Sequence, residues 1–295
     1  MPFWTFFFEV VIIILYLCSV IYLSKKKDYR QISTLIAGAL FGVLLEYMNI
    51  GLGGGYGYSR EFILQVGNPP VNIPVVVALA WAMLFQTAHD ISDCYDFPII
   101  VRTLFESLFV VSIDIFFDVA AIRLEGGLWT WNDEVMTLSI TSRTLYGVPW
   151  GNYYGWFCVI FYMSLILQLI DKRQANDKIG TLTKRVLLSV VIAETCLFSS
   201  LLLTIPLFNF TWLMFSIQYF GSIAVVVAYS IRNKISRRHQ LETLFPLALY
   251  IFFYGYCIAT MIFLGLAIEI PLFFILNIAY AVIFVIYLIR LTKLK

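Results

Sequence analysis

Long uninterrupted apolar runs are the feature that most restricts what this chain can fold into. Runs of about 20 residues, the length that an α-helix needs to cross the hydrocarbon core of a bilayer, recur along its 295 residues. They lie at residues 3–23, 32–50, 71–88, 98–120, 152–170, 186–205, 207–230, 243–266 and 269–289. Hydrophobic residues make up 61% of the chain and charged residues only 13%, so a water-soluble domain could not cover its apolar surface. The sequence predicts one all-α domain over residues 1–295, a polytopic, multi-pass integral membrane bundle of about nine transmembrane helices.

Basic residues predict how this bundle is oriented in a cell membrane. They cluster in alternate connections between the runs and in the C-terminal tail, so nine spans place all but three of the twenty Lys and Arg residues on one face. The positive-inside rule makes that face cytoplasmic. The sequence therefore predicts an N-terminus outside and a C-terminus in the cytoplasm. Only Glu269 and Pro271 interrupt the last apolar stretch, so a count of eight spans stays open.

The fourth run is unusual because it carries ionisable residues at helical spacing. Arg102, Glu106, Asp114 and Asp118 are separated by multiples of four, so they follow one slowly winding stripe of a helix. A charge near the bilayer centre costs about 3 kcal/mol on insertion scales. These side chains are therefore predicted to face the bundle interior or a wet cavity, with Arg102 and Glu106 forming a structural ion pair.

Asp114 and Asp118 have no cation beside them on their own helix. Two carboxylates one turn apart repel each other in a low dielectric, so at least one is expected to hold its proton near neutral pH. Such a neutral acid can serve as a general acid; the structural alternative is an acid pair capped by Arg123 or by loop amides. Glu46 is predicted at a similar depth in the second run, and Glu194 lies in the sixth run with no obvious partner.

Two long connections on the predicted outer side are rich in Gly and aromatic residues. Their motifs are Gly51-Leu-Gly-Gly-Gly-Tyr56-Gly-Tyr58, then Gly127-Leu-Trp129-Thr-Trp131, then Tyr146-Gly-Val-Pro-Trp-Gly-Asn152-Tyr153-Tyr-Gly-Trp156. Together with Glu46 and the acid pair, these segments resemble the carotenoid 1,2-hydratases, which include the bisanhydrobacterioruberin hydratases. The resemblance covers roughly residues 40–160.

The resemblance implies a lyase-type hydratase that adds water across the terminal isopropylidene double bond of a long polyene, in carotenoid biosynthesis. It implies no metal and no organic cofactor, a hydrophobic isoprenoid or carotenoid substrate, the lipid bilayer as the surrounding partner, and no nucleic acid. Protonation of such an alkene gives a tertiary carbocation, which an acid must create and which aromatic faces can stabilise by cation–π attraction. The predicted catalytic residues are Asp114, Asp118 and Glu46, and the predicted substrate-binding residues are Trp129, Trp131, Tyr146, Asn152, Tyr153, Trp156, Tyr56 and Tyr58.

Other functions are compatible with the same sequence. The acids would also serve a cofactor-free terpenoid cyclase or isomerase, in which the cation is quenched without water. Asp90, Asp93 and Asp96 are spaced so that they could hold Mg²⁺ against a diphosphate, as in membrane prenyltransferases. A proton-coupled transporter would use the membrane carboxylates, including Glu194, as a relay.

Overall fold

The computed structural model describes residues 2–132, 136–173 and 179–292 of the chain. The helices within these ranges are α1 Phe3–Lys26, α2 Tyr29–Gly51, α3 Val75–Asp93, α4 Ile99–Ala121, α5 Trp150–Arg173, α6 Ile179–Thr204, α7 Thr211–Arg232, α8 Phe245–Phe263, α9 Leu266–Glu269 and α10 Pro271–Thr292, with a 3-10 helix at Ile205–Phe210. The strands are β1 Tyr56–Tyr58, β2 Gln65–Asn68, β3 Val71–Pro74, β4 Trp129–Trp131, β5 Thr144–Leu145 and β6 Val148–Pro149.

The long helices confirm an all-α polytopic membrane bundle. Seven helical stretches among the described residues are long and apolar enough to cross a membrane. One of them, residues 179–232, joins α6 and α7 through the 3-10 helix, and α4 with its four ionisable residues is not among the seven. Apart from the short α9, each helix in the described ranges coincides with one of the nine predicted runs.

Two details of the predicted spans change. Residues 71–74 form strand β3 and not the start of a helix, because they pair with β2 in the register Gln65↔Pro74 to Asn68↔Val71 and because a residue before proline is held in extended backbone. The last apolar stretch is two helices, α8 and α10, each long and apolar enough to span a membrane; the total number of spans stays a prediction. Gly265 turns the chain at φ 75°, and α10 then packs antiparallel to α8, with Leu241 donating to the Leu291 carbonyl at 3.1 Å.

The connections that carry the basic residues meet at one end of the bundle, which we call the basic end. Contacts there join the α1–α2, α3–α4, α5–α6 and α7–α8 connections with the end of α10, as the predicted topology requires. They are Arg30 to Asp171 at 3.0 Å, Arg238 to Asp96 at 3.3 Å, and Arg237 Nη1 to the Arg290 carbonyl at 2.7 Å. The membrane face that this end occupies stays a prediction.

Two glycines on α2 bring that helix very close to α3. A Cβ atom on Gly38 would lie 2.7 Å from the Ala82 Cα, and one on Gly42 would lie 3.0 Å from the Trp81 ring. Small residues four apart are the usual means of close helix packing in membranes. Because Glu46 is the next residue at this spacing, the same face carries its carboxyl group toward α3.

Helix α4 lies at the centre of the bundle, where it packs against α3, α5, α7 and α8. Two tyrosines of α8 donate hydrogen bonds to α4 carbonyls, Tyr250 to Phe109 at 2.9 Å and Tyr254 to Ser112 at 3.2 Å. The neighbouring helices cover α4 around Asp114 and Asp118, and both side chains are 0% exposed. This central position therefore keeps the two acids away from lipid.

The two Gly- and aromatic-rich connections, which are predicted to lie on the outer side, are joined by a strand pair that the sequence did not predict. Strand β1 runs antiparallel to β4 in the register Tyr56↔Trp131, Gly57↔Thr130 and Tyr58↔Trp129. Flanking backbone bonds extend the pair, from Ser59 N to the Leu128 carbonyl at 3.0 Å and from Asn132 N to the Gly55 carbonyl at 2.8 Å. We call the four rings Tyr56, Tyr58, Trp129 and Trp131 the aromatic ladder.

Candidate active site

A small cavity lies between the aromatic ladder and the helix ends beneath it. Its volume is about 60 Å³. One water needs roughly 10–15 Å³, so the cavity holds a few waters or the last carbons of a chain. Eight of the predicted site residues line it: Glu46, Tyr56, Tyr58, Asp118, Trp129, Trp131, Asn152 and Trp156.

The acid pair is bridged by one side-chain amide. Asn152 of α5 donates from Nδ2 to Asp118 Oδ2 at 2.6 Å and to Asp114 Oδ2 at 3.3 Å. Within the described residues, the Oδ1 atoms of both aspartates have no hydrogen-bond partner. Asp118 lines the cavity, whereas Asp114 lies one helical turn deeper and does not. Both carboxyl groups thus share the Asn152 amide as a donor, and two like charges this close together favour a single shared proton.

Arg123 does not cap this pair, so that part of the structural alternative is wrong. Its guanidinium donates to three carbonyls, those of Val119 at 2.8 Å, Thr137 at 2.8 Å and Tyr146 at 2.7 Å. Arg123 thus fixes the second outer connection to the end of α4. Tyr146 is held by this bond outside the cavity, where its ring packs on Phe273 at a centroid distance of 4.9 Å.

Glu46 faces the cavity from α2 with donors on both carboxyl oxygens. The Trp81 indole donates to Oε1 at 3.1 Å, and the Tyr56 hydroxyl makes a short hydrogen bond to Oε2. Asn49 donates to the Tyr56 oxygen at 3.3 Å, which directs the hydroxyl proton toward Glu46. Burial raises the pKa of Tyr56 and of Tyr58 well above the usual value, so both hydroxyls remain protonated at neutral pH.

Aromatic rings form most of the remaining cavity wall. Within the aromatic ladder, Tyr56 and Trp131 have centroids 5.1 Å apart, and Tyr58 and Trp129 are 6.0 Å apart. Trp156 lies 4.1 Å from the ring of Trp81. Such faces carry the negative part of the ring quadrupole and attract a cation. The wall can therefore stabilise positive charge without bringing a nucleophile next to it.

Tyr153, a predicted substrate-binding residue, and Glu194, considered for a proton relay, both lie away from the cavity. Tyr153 is fully buried, donates to the Ile115 carbonyl at 3.5 Å, and packs its ring on Phe215 at 5.6 Å. Glu194 of α6 is only 5% exposed, and neither of its carboxyl oxygens has a partner in the part of the chain that the structure describes.

Several residues of the site escaped the sequence prediction. The cavity is also lined by Phe8, Trp81, Phe117 and Phe253, which sit in apolar runs where nothing distinguishes them from lipid-facing rings. Glu9 is another, a buried acid of α1 that accepts from the backbone N–H groups of residues 63 and 64 at 2.8 and 2.9 Å. The sequence did offer a signal for Glu9, because an acid within a membrane span needs hydrogen-bond donors or a charged partner.

The acidic motifs at the basic end have protein partners. Arg102 and Glu106 form the predicted ion pair at 3.1 Å, and Ser92 and Ser164 make short hydrogen bonds to the same carboxylate. The three aspartates considered for Mg²⁺ diverge. Asp90 accepts from Gln86 at 2.6 Å, Asp93 pairs with Arg102 at 3.0 Å, and Asp96 pairs with Arg238 at 3.3 Å.

The fold and the site define a polytopic membrane protein with an acid-lined, aromatic cavity near one end of the bundle. Residues 7–205 match the family described as carotenoid biosynthesis protein. The match covers more than half of the chain, so the protein belongs to the carotenoid biosynthesis protein family. A search of curated proteins and a search of solved structures gave no match.

Proposed function

We propose that the protein hydrates a terminal C=C bond of an acyclic carotenoid by acid catalysis. The observation that supports this proposal is the different surroundings of three buried carboxyl groups, two of which line the cavity while the third, Asp114, lies one helical turn deeper. Asp114 and Asp118 share a single amide donor, whereas both oxygens of Glu46 accept hydrogen bonds. Opposed environments of this kind are how enzymes separate an acid from a base.

Asp118 is the proton donor in this proposal, because it lines the cavity and Asp114 does not. The Asp118 proton adds to the less substituted alkene carbon, the π electrons form the new C–H bond, and a tertiary carbocation remains on the neighbouring carbon. Asp114, joined to Asp118 through Asn152, keeps the pair singly protonated before the transfer. The Asn152 amide then stabilises the carboxylate that the transfer creates.

Glu46 is the base. Water adds to the cation through an oxygen lone pair, and the resulting oxonium loses one proton to the Glu46 carboxylate. Return of a proton to the aspartate pair completes a cycle whose net change is alkene plus water to tertiary alcohol. Trp81 and Tyr56 hold Glu46 in place with its charge satisfied, so it is a hydrogen-bonded base and not a nucleophile aimed at the cation.

The cavity size defines which part of the substrate reacts. About 60 Å³ accommodates a chain end and a water, so the rest of a long polyene lies outside the cavity. The substrate class is therefore a hydrophobic isoprenoid with an unsubstituted isopropylidene terminus, approached from the bilayer.

The test is conversion by purified protein in detergent, with an acyclic carotenoid and no ion gradient. The expected product gains the mass of one water. Asp118→Asn and Asp114→Asn should each lower turnover by about 10²–10⁴-fold, the usual contribution of general acid catalysis, while the polyene absorption shift on binding is retained. The exposed Glu61 provides the control variant Glu61→Gln, expected at the wild-type rate.

The alternatives give different results in the same assay. An unchanged mass with a new retention time indicates a cyclase or isomerase, and activity seen only as flux across sealed vesicles indicates a transporter. Wild-type turnover in both aspartate variants would refute the assigned acids.

A further inference from the structure

One buried hydrogen-bond donor at the cavity has no acceptor. Trp131 lines the cavity from β4, and its Nε1 atom is buried without a partner anywhere in residues 2–132, 136–173 and 179–292. The other buried polar atoms left unpaired at this site are the Oδ1 atoms of Asp114 and Asp118. Unpaired buried polar atoms are rare in native proteins, and each calls for a ligand or a water.

The chemistry of the indole restricts what that ligand is. An indole N–H only donates, so it needs an oxygen or nitrogen lone pair. A carotenoid terminus with an isopropylidene group offers carbon and hydrogen alone and cannot satisfy it. Water can, and so can the hydroxyl of a tertiary alcohol. Two other indoles already have acceptors: Trp81 donates to Glu46 at 3.1 Å and Trp150 to the Thr141 carbonyl at 2.8 Å.

The position of Trp131 places this donor on the side of the base. Trp131 is the cross-strand partner of Tyr56, the two rings lie 5.1 Å apart, and Tyr56 donates directly to Glu46. The second rung, Tyr58 with Trp129, lies beside Phe117 at 5.8 Å from Trp129, on the α4 side. Trp131 therefore packs against a ring whose hydroxyl is hydrogen-bonded directly to the base.

We infer that the Trp131 indole N–H holds the nucleophilic water next to Glu46, which makes Trp131 the residue that selects hydration over isomerisation. This inference rests on the proposed hydration. The indole N–H donates to the water oxygen while the water directs an O–H group to Glu46, leaving a lone pair toward the cation. When the C–O bond forms, that O–H proton passes to Glu46. Without the held water the cation instead loses a C–H proton to the carboxylate, which gives an isomerised alkene of unchanged mass.

The experiment is to measure both products with Trp131→Phe, which keeps a ring face and removes only the N–H group. Loss of one such hydrogen bond predicts an alcohol-to-isomer ratio lowered about tenfold, with total alkene consumption within about threefold of wild type. The control is Trp150→Phe, which removes an indole N–H outside the cavity and should leave the ratio unchanged. Reactions in ¹⁸O-labelled water confirm that the alcohol oxygen comes from solvent.

The readout separates this inference from the function on which it rests. A variant that folds poorly makes less of both products but keeps the wild-type ratio of alcohol to isomer. A wild-type ratio in Trp131→Phe therefore overturns the role of Trp131. An equal shift in Trp150→Phe also overturns it. Failure of the wild-type protein to make alcohol at all refutes the proposed hydration itself.

Discussion

The amide of Asn152 is the most informative group to remove, because it is the one donor that both aspartates share. Asn152→Leu has nearly the same size and cannot donate. The variant leaves Asp114 and Asp118 in a buried site with no hydrogen bond at Oδ2. Proton transfer from Asp118 then creates a carboxylate that has lost its amide donor, so the transition state rises more than the ground state.

The size of the effect follows from the two distances. The bond to Asp118 at 2.6 Å is a good hydrogen bond, and the bond to Asp114 at 3.3 Å is long, so only the first contributes strongly. A hydrogen bond to a charged group is worth about 1.5–3 kcal/mol. At 1.36 kcal/mol for each factor of ten, kcat is expected to fall by roughly 10- to 150-fold. KM should change little, since an apolar chain end gains nothing from the amide.

The assay compares kcat and KM for alcohol formation by purified wild type and Asn152→Leu. Asn277→Leu is the matched control. Asn277 is also a fully buried amide in a membrane helix, and its Nδ2 atom contacts only the Met261 sulfur at 3.4 Å among the described residues. The reasoning is refuted if Asn152→Leu turns over at the wild-type rate, or if Asn277→Leu loses as much activity.

Three further variants test the parts that hold the site together. Thr130→Pro removes an N–H group from the centre of the β1–β4 pair, and turnover should fall about tenfold or more while Thr130→Ala, changed only at an exposed side chain, remains active. Tyr56→Phe removes a donor to Glu46 and should lower kcat about tenfold in the same product assay. Arg185→Leu removes one of the two arginines that pair with Asp171, which Arg185 binds at 2.6 and 2.9 Å and Arg30 binds at 3.0 Å; thermal unfolding should show a loss of about 1.5–3 kcal/mol, with normal kcat in the folded fraction.

Much of the helical architecture could be predicted from the sequence, because each span must have the length and the apolar composition that a bilayer requires. The proximity of the two acids could be predicted as well, since residues four apart lie on the same face of a helix whatever the tertiary fold. Asp114 and Asp118 meet for that reason alone. The ion pair of Arg102 with Glu106 follows from the same geometry, and the structure confirms it at 3.1 Å.

Contacts between distant segments could not be predicted in this way. No local feature of Tyr56 or Trp131 indicates that the two connections pair as strands. The pairing depends on where the ends of α2, α3 and α4 lie in the folded bundle. The same limit applies to Trp81, whose role comes from the close approach of α2 at Gly42. Tyr153 shows the converse, since its place in a recognisable motif does not reveal that its ring turns away from the cavity toward Phe215.

The helices that follow the family match in sequence contribute residues to the site. The match ends at residue 205, yet α8 supplies Phe253 to the cavity wall and two tyrosine hydroxyls to carbonyls of α4. These contacts cover the face of α4 that would otherwise meet lipid. An uncovered α4 would expose ionisable groups to hydrocarbon at a cost of about 3 kcal/mol for each charge. The acidic residues of α4, which lie within residues 7–205, are therefore kept out of the lipid in part by C-terminal helices that lie beyond the match.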